Sequence, residues 1–591
     1  MMNYNLNQTQ EPEKKVRNGV LKTIGRLLDI MGQERRNLLI AIFFMLINST
    51  LLLLAPYLIG VAVDKYVVTG QYAGIYRYSL ILLSIFIAAM FSGYVQAQVM
   101  GKVGQRMLFN LRNTVFSKLQ ELPIAFFNQN KAGDLISRIN NDTDKINQFF
   151  SQSLVQFMSS ILTMIGAGIF LVSINPKLAL AALTPAFFIW IFTRVISPKV
   201  KKINAENMKS TGGLSAEIQE SLQHFKVIVA FNRRDYFRRK FDEANQENYK
   251  TALKAGIANN LFMPVYTFWA NIGQLVVLGY GIYLIAAGEF SVGLLISFIA
   301  YITQFYNPLR QIAALWANFQ VALAGWDRIS QILKMESDLT LVSSDRKADK
   351  KQEVMLEFRD VSFGYEKGKN ILNHVNFKLM RGKTYAFVGP TGGGKTTTAS
   401  LMARLYDPAE GQVILQGVDI RTIDDNNRTA KIGFILQEPV LFSGNLRDNI
   451  LYGNQCFLPL SDEELMKELK EVRLNELIDR FEDGFKTPIQ ASGENISLGQ
   501  KQIIAFIRAI IRRPDLLILD EATANIDTVT EQLLDNILRK LPGSSTKIII
   551  AHRLNTIENA DEIFFVNGGE VIPAGSLENA VEMLINDKRE S

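Results

Sequence analysis

Cysteine and histidine are nearly missing from this chain of 591 residues, which has one of the first, Cys456, and three of the second. A single cysteine excludes an intramolecular disulfide and fits a reducing compartment. At the N-terminus no short apolar core precedes a small-residue cleavage site, so no cleaved signal peptide is expected and targeting rests on the first membrane helix. No basic stripe with interleaved aromatics and no base-reading motif is present, so the net charge of +7 does not point to nucleic acid. The basic residues instead flank long apolar runs that are almost free of ionisable groups, which points to a membrane.

Six runs are long and apolar enough to cross a bilayer, which takes roughly 20 residues. They cover about 38–63, 79–101, 154–173, 178–197, 261–287 and 294–315. The last is the weakest, with Asn307, Pro308 and Arg310. Lys and Arg crowd the N-terminal segment, the second–third connection and the fourth–fifth connection. The other connections carry only Lys65, Arg77 and Lys177. Positive charge stays in the cytoplasm, so both termini are expected there, in a cell membrane read as bacterial. Arg194 sits near the cytoplasmic end of the fourth span. A proton or sodium relay needs intramembrane carboxylates, so their absence argues against an ion-coupled carrier and for a hydrophobic cargo.

The two long connections have helical patterning and are expected to extend the membrane helices into the cytoplasm, since structureless loops of that length are uncommon. Two spots stand out there as contact points, Ala125-Phe126-Phe127-Asn128 and 214–222 before His224; ordinary helix packing is the alternative. Phe298, Tyr301 and Phe305 share one face of the last span. They could line a cargo cavity, although helix or lipid packing is favoured. Arg310 is costly at membrane depth unless it lies past the cytoplasmic interface.

Composition then changes. After a charged stretch over 336–352, read as a linker, short β-like runs alternate with charged helical segments, as in an α/β domain. The expected organisation is a transmembrane domain over 1–335, the linker, and a nucleotide-binding domain over 353–591. The fold class is an all-α six-helix membrane domain followed by an α/β phosphate-loop domain.

Gly389-Pro390-Thr391-Gly392-Gly393-Gly394-Lys395-Thr396 fits G-x-x-x-x-G-K-[ST] between a strand-like run, Tyr385–Val388, and a helix-compatible run that begins at Thr397. Glycines let backbone N–H groups wrap a phosphate, and a helix start favours anions. Lys395 is suited to the β- and γ-phosphates of ATP, Thr396 to Mg²⁺, and Thr397 completes the binding set. Leu516-Leu517-Ile518-Leu519-Asp520-Glu521 ends a buried strand in two carboxylates: Asp520 for Mg²⁺ and Glu521 to orient or deprotonate the attacking water. Gln437 and His552 follow strand-like runs and are candidates for the γ-phosphate region, with Gln437 also a metal candidate. Tyr365, before a turn, offers a face to adenine. Alone it reads as a core aromatic.

Together these elements resemble the ATP-binding cassette (ABC) family over nearly the whole chain. Tyr365 looks like its A-loop and Gly389–Thr396 like Walker A. Gln437 resembles the Q-loop glutamine, Asp520-Glu521 the end of Walker B, Asp527 the D-loop aspartate and His552 the switch histidine. Six spans, two long connections and a C-terminal cassette look like a half-transporter of the exporter type (type I). The resemblance implies that each long connection ends in a coupling helix docked on a cassette. It also implies that each ATP lies between the Walker motifs of one chain and the signature of another.

The signature departs from the family's L-S-G-G-Q. Here it reads Ile496-Ser497-Leu498-Gly499-Gln500, leaving Ser497, Gly499 and Gln500 as nucleotide contacts and Leu498 where a glycine belongs. Upstream, Thr487-Pro488-Ile489-Gln490-Ala491-Ser492-Gly493 lacks both glutamates of T-E-V-G-E-x-G. Intact hydrolytic residues beside an altered signature imply a heterodimer. A partner half-transporter with a normal signature and a replaced Walker B glutamate would complete one good site. The expected activity is ATP-driven export of hydrophobic or amphipathic compounds of multidrug type. The alternatives are a homodimeric lipid or peptide exporter and a nucleotide-gated channel or regulatory subunit. Only a short stretch precedes the first span, so a peptide-processing protease domain is not expected.

Overall fold

A computed structural model describes residues 4–6, 34–339, 341–342, 352–366, 368–490, 493, 495–520, 528–541, 543, 545–550 and 560–590. The described residues form two compact units that do not follow chain order. One holds 34–119 and 133–334; the other holds 4–6, 120–132 and the chain from 335 onward.

The first unit is helical because its runs are apolar and a bilayer supplies no water to backbone groups, so each span must bond to itself. Its main helices are α1 (Arg35–Ala62), α2 (Tyr72–Glu121), α4 (Leu154–Ile174), α5 (Pro176–Gln223), α6 (Phe225–Ala230), α7 (Arg234–Asn260), α8 (Phe262–Ala286) and α9 (Val292–Leu333), while α3 (Ile124–Gln129) belongs to the second unit. Among the described residues, six stretches are long and apolar enough to cross a membrane. The 50 residues of α2 run roughly 75 Å at about 1.5 Å per residue, far beyond a hydrocarbon core of about 30 Å. The long connections are therefore continuations of the spans rather than loops.

Helices α1 and α9 cross closely. A Cβ on Gly293 would overlap the carbonyl of Gly60, so glycine is required at this crossing. Pro56 lies inside α1 and lacks the N–H that would bond to the Leu52 carbonyl. Side chains of α9 satisfy the carbonyls along this stretch. Gln304 Nε2 donates to Leu52 at 3.4 Å, the Tyr301 hydroxyl to Leu53 at 2.6 Å, and the Ser297 hydroxyl to Pro56 at 2.7 Å. The start of α9 is held by Ser291, whose Oγ accepts from Leu294 N, and by Asp64, which accepts from Gly293 N at 2.8 Å. Phe298 and Tyr301 are fully buried, with Tyr301 stacked on Phe170 at 4.8 Å, and Phe305 is half-buried against the same cluster. Helix packing accounts for Phe298 and Tyr301. The side chain of Arg310 lies outside the described residues.

Beyond the apolar stretches, α9 is tied to the 134–145 segment by ions. Arg328 pairs with Asp134 at 2.7 Å and with Asp142 at 3.2 Å, while buried Arg138 pairs with Asp134 at 2.9 Å and donates to the Arg328 carbonyl at 2.7 Å. Buried charge is tolerated here because each ion has a counter-ion and hydrogen bonds.

In the second unit an antiparallel sheet runs β2 (Leu372–Met380), β1 (Val354–Phe363), β4 (Glu410–Leu415), β5 (Val418–Asp419). A second sheet runs β12 (Glu570–Pro573), β11 (Glu562–Asn567), β3 (Thr384–Val388), β10 (Thr546–Ile550), β9 (Leu516–Asp520), β6 (Ile432–Ile435). Its five strands from β11 to β6 are parallel. Every residue of β9 is buried, which explains its unbroken apolar run. Helix α10 (Lys395–Met402) follows β3. A lobe of α11 (Leu446–Leu451), α12 (Asp462–Glu471), the β7–β8 pair (Gly444–Asn445, Pro488–Ile489) and α13 (Leu498–Ile510) packs around Ile450, Leu465, Phe506 and Ile507.

Candidate functional site

Sheet order brings the sequence motifs together. Four adjacent strands, β3, β10, β9 and β6, end side by side, with Ile550 in register with both Phe387 and Asp520, and Ile435 with Leu519. The glycine loop leaves β3, His552 follows β10, Asp520 ends β9 and Gln437 follows β6. In an α/β sheet the carboxyl ends of strands are where ligands bind. Glu521, Asp527 and His552 lie outside the described residues. Asp520 and the strand that leads to His552 are described.

The loop has the geometry a phosphate cradle needs. Gly389 has φ of 152° in the region that favours glycine, and a Cβ there would overlap the Val566 carbonyl. Lys395, the first residue of α10, is buried, and its ammonium donates to the carbonyls of Gly389 at 2.8 Å and Pro390 at 2.9 Å. This holds the cation over the loop. The Thr396 hydroxyl donates to Asp520 Oδ1 at 3.3 Å, so two residues separated by more than a hundred positions share one point in space. A hydroxyl and a carboxylate at one point are an oxygen donor set suited to a hard divalent cation. Gln437 is exposed beyond β6.

Tyr365 is partly exposed, and its hydroxyl lies 3.3 Å from that of Thr397 in α10. Its ring meets Tyr406 edge-on at 5.2 Å and Phe363 at 5.1 Å. The Tyr406 side chain is buried, burial raises its phenol above the ordinary value, and its hydroxyl accepts from Asn128 of α3 at 2.7 Å. Thus α3 reaches the back of the aromatic cluster that holds Tyr365. Of the aromatic pair in α3, Phe126 is fully buried and only Phe127 is exposed, so the pair does not present one surface. Phe126 is covered by Tyr4 edge-on at 6.4 Å. Tyr4 N donates to Gln129 at 2.8 Å, and the Tyr4 hydroxyl accepts from Asp338 N at 2.9 Å. Sequence reasoning missed Tyr4 and Tyr406, because a lone tyrosine carries no periodic or motif signal. The other spot, 214–222, is part of helix α5 and largely exposed; the short helix beyond it is α6, with Phe225 and Val227 exposed.

The altered signature opens α13. Ser497 is its N-cap: its hydroxyl accepts from Gln500 N at 3.2 Å, and Gln500 Oε1 accepts from Ser497 N at 3.0 Å. This reciprocal box fixes the helix start. Leu498 occupies the first helical position, 43% exposed and outside the left-handed region. Leucine therefore costs this fold no backbone strain, and its side chain projects from the helix end into solvent. Farther along α13, Arg508 donates to the carbonyls of Asn449 at 2.8 Å and Val440 at 3.1 Å, which ties the segment after Gln437 to the signature helix. Burial lowers the Arg508 guanidinium from its ordinary value, and Tyr452 offers a ring face 5.4 Å away.

Residues 38–309 match the ABC transporter transmembrane region, and residues 372–524 match the ABC transporter family. The chain belongs to the ABC transporter family. It is 36% identical to an uncharacterized ABC transporter ATP-binding protein, YfiC, of Bacillus subtilis, over 92% of this chain and 89% of the relative. It is 32% identical to a fatty acid ABC transporter ATP-binding/permease protein of Mycobacterium tuberculosis, over 86% and 80%. A multidrug resistance ABC transporter ATP-binding and permease protein of Lactococcus lactis is 29% identical, over 84% and 83%. A membrane region and a cassette in one chain make this ABC protein an exporter half-transporter, a multi-pass membrane protein that binds ATP and couples its hydrolysis to transport. ABC exporters work as dimers, so a second half is required.

Proposed function

We propose that this exporter is one half of a heterodimer that moves hydrophobic or amphipathic compounds of multidrug type out across the cell membrane, with both termini cytoplasmic. One nucleotide site hydrolyses ATP and the other mainly holds it. The observation that carries this reading is Leu498 at the exposed head of α13, where an approaching phosphate would meet a side chain instead of bare backbone.

At the hydrolytic site, Lys395 and the Gly389–Gly394 backbone hold the phosphates. Thr396 and Asp520, whose side-chain oxygens lie 3.3 Å apart, would hold Mg²⁺ together with Gln437. The chemistry Mg²⁺ would supply there is neutralisation of charge on the transferred phosphoryl group. Glu521 orients the attacking water, His552 contacts the γ-phosphate and Tyr365 stacks on adenine. The partner supplies a normal signature over this site and lacks its own Walker B glutamate. The second site combines the partner's Walker motifs with Ser497, Gly499 and Gln500, and Asp527 is a further nucleotide-binding residue. ATP binding favours the state in which the cassettes pair, and hydrolysis resets it, because a ligand shifts an equilibrium only through its differential affinity. Relatives named for fatty acid and for multidrug resistance support an amphipathic cargo.

The test is the Mg²⁺-ATPase of this chain purified alone, with Glu521→Gln as the blank and particle mass measured in parallel. Weak turnover, rescued by a co-expressed second half-transporter, is the expected result. Strong Glu521-dependent turnover by a dimer of this chain overturns the heterodimer.

A further inference from the structure

The membrane unit contains a cavity of about 490 Å³ walled by α2, the π-helical turn Phe149–Ser153, α4 and α9. Its lining departs from the apolar character of the spans. Six carboxamides converge on it: Gln96, Gln152, Gln156, Gln304, Asn307 and Gln311. Serine and threonine hydroxyls fill much of the remainder, with Met100 and Val155 at its apolar side. None of the described lining residues is charged or aromatic. Gln156 Nε2 donates to Gln311 Oε1 at 3.2 Å across the wall. Gln304 spends its amide on the Leu52 carbonyl, and its own Oε1 is buried without a hydrogen-bond partner among the described residues. A buried acceptor left unpaired is costly, and such groups are normally satisfied by a ligand or solvent. A π-turn in the wall is a further mark of a functional position.

From this lining we infer that the cargo is an amphiphile whose polar head is uncharged and carries both hydrogen-bond donors and acceptors, as hydroxyls do. A carboxamide offers both, so a wall of them matches such a head from any side. A cationic head would need a carboxylate or a ring face, and an anionic head an Arg or Lys; the described lining of this half offers neither, and an unpaired charge at membrane depth is strongly disfavoured. On the orientation proposed above, Gln96 lies near the inner end of its span and Gln304–Gln311 in the inner half of the last, so the head enters from the cytoplasmic side. The inference rests on the proposed export reading in calling the ligand cargo and in giving the side from which it enters. Its test needs no hydrolysis, so the two can fail separately.

The experiment is equilibrium binding, without nucleotide, of three radiolabelled amphiphiles to the full chain in lipid nanodiscs, with empty nanodiscs subtracted. All three share a dodecyl tail; the heads are a glucoside, a trimethylammonium and a carboxylate. The glucoside should bind at least about tenfold more tightly than either charged compound. Gln156→Leu and Gln304→Leu should each weaken the glucoside by about fivefold, with thermal unfolding confirming that each variant folds. Gln304→Glu should shift the preference toward the trimethylammonium compound. Charged heads that bind as well as the glucoside, or glucoside binding indifferent to these substitutions, overturn the proposal. Methyl glucoside that competes as strongly as the dodecyl compound overturns the requirement for a tail.

Discussion

Replacing Leu498 with glycine separates two consequences that usually travel together. In the structure Leu498 is the first residue of a 13-residue helix, 43% exposed, with the Ser497–Gln500 box bonding around it. Glycine in a helix interior costs about 1 kcal/mol relative to alanine, an upper bound at a terminal position. Full burial of leucine is worth about 1.5–3 kcal/mol, so losing a side chain that is only half buried costs about 1 kcal/mol more. Leu498→Gly should therefore lower the thermal unfolding midpoint slightly. Catalysis should move the other way. A backbone N–H that reaches a phosphate makes a charge-assisted bond worth about 1.5–3 kcal/mol, or about 10–100-fold in rate if it is realised in the transition state. Mg²⁺-ATPase of the chain purified alone should rise at least about tenfold, with Leu498→Ala between parent and glycine. The rise must vanish in the Glu521→Gln background. A folded Leu498→Gly protein with parental turnover would refute the reasoning, since the leucine would then not be what limits the site.

Two further outcomes follow from the cassette. Tyr406→Ala removes the ring behind Tyr365 and the acceptor for Asn128, so affinity for a fluorescent ATP analogue should fall about fivefold; anisotropy titration checks this, and an unchanged affinity would disconnect the aromatic cluster from nucleotide binding. On β1, Arg359 at 2.8 Å and Lys378 at 3.2 Å hold Glu357 below its ordinary value of 4.5 in spite of burial. A lowered carboxylate stabilises fully above its unfolded value and loses that contribution as pH falls through its folded value. The difference in unfolding midpoint between parent and Glu357→Gln should thus be full at pH 7 and close below 4.5; a difference independent of pH would refute the ion pairs as its source.

The spans were legible because membrane helices must satisfy their own backbone, so hydrophobic length alone marks them. The Gly389–Thr396 loop was legible because its spacing is local: strand, glycine turn and helix start all fall within one short stretch. Leu498 could be read as a departure only because the residues around it still match. Other features were not legible in this way. That β10 lies between β3 and β9, so that Thr396 and Asp520 touch, is a matter of sheet order, which no local pattern encodes. The contact of Asn128 with Tyr406 joins residues far apart in the chain, and the cover of Phe126 by Tyr4 depends on a segment with no periodicity.

The sequence by itself determined the membrane class, the cassette chemistry and the altered signature, because each rests on residue type at short spacing. Tertiary structure alone decided that scattered glutamines on separate spans face one cavity, while Tyr301 is spent on packing against α1 and α4 and Phe298 is buried in the same apolar cluster. Which side of a helix meets a neighbour depends on crossings set by all the other helices, and an apolar span shows too little amphipathic contrast to reveal it in advance.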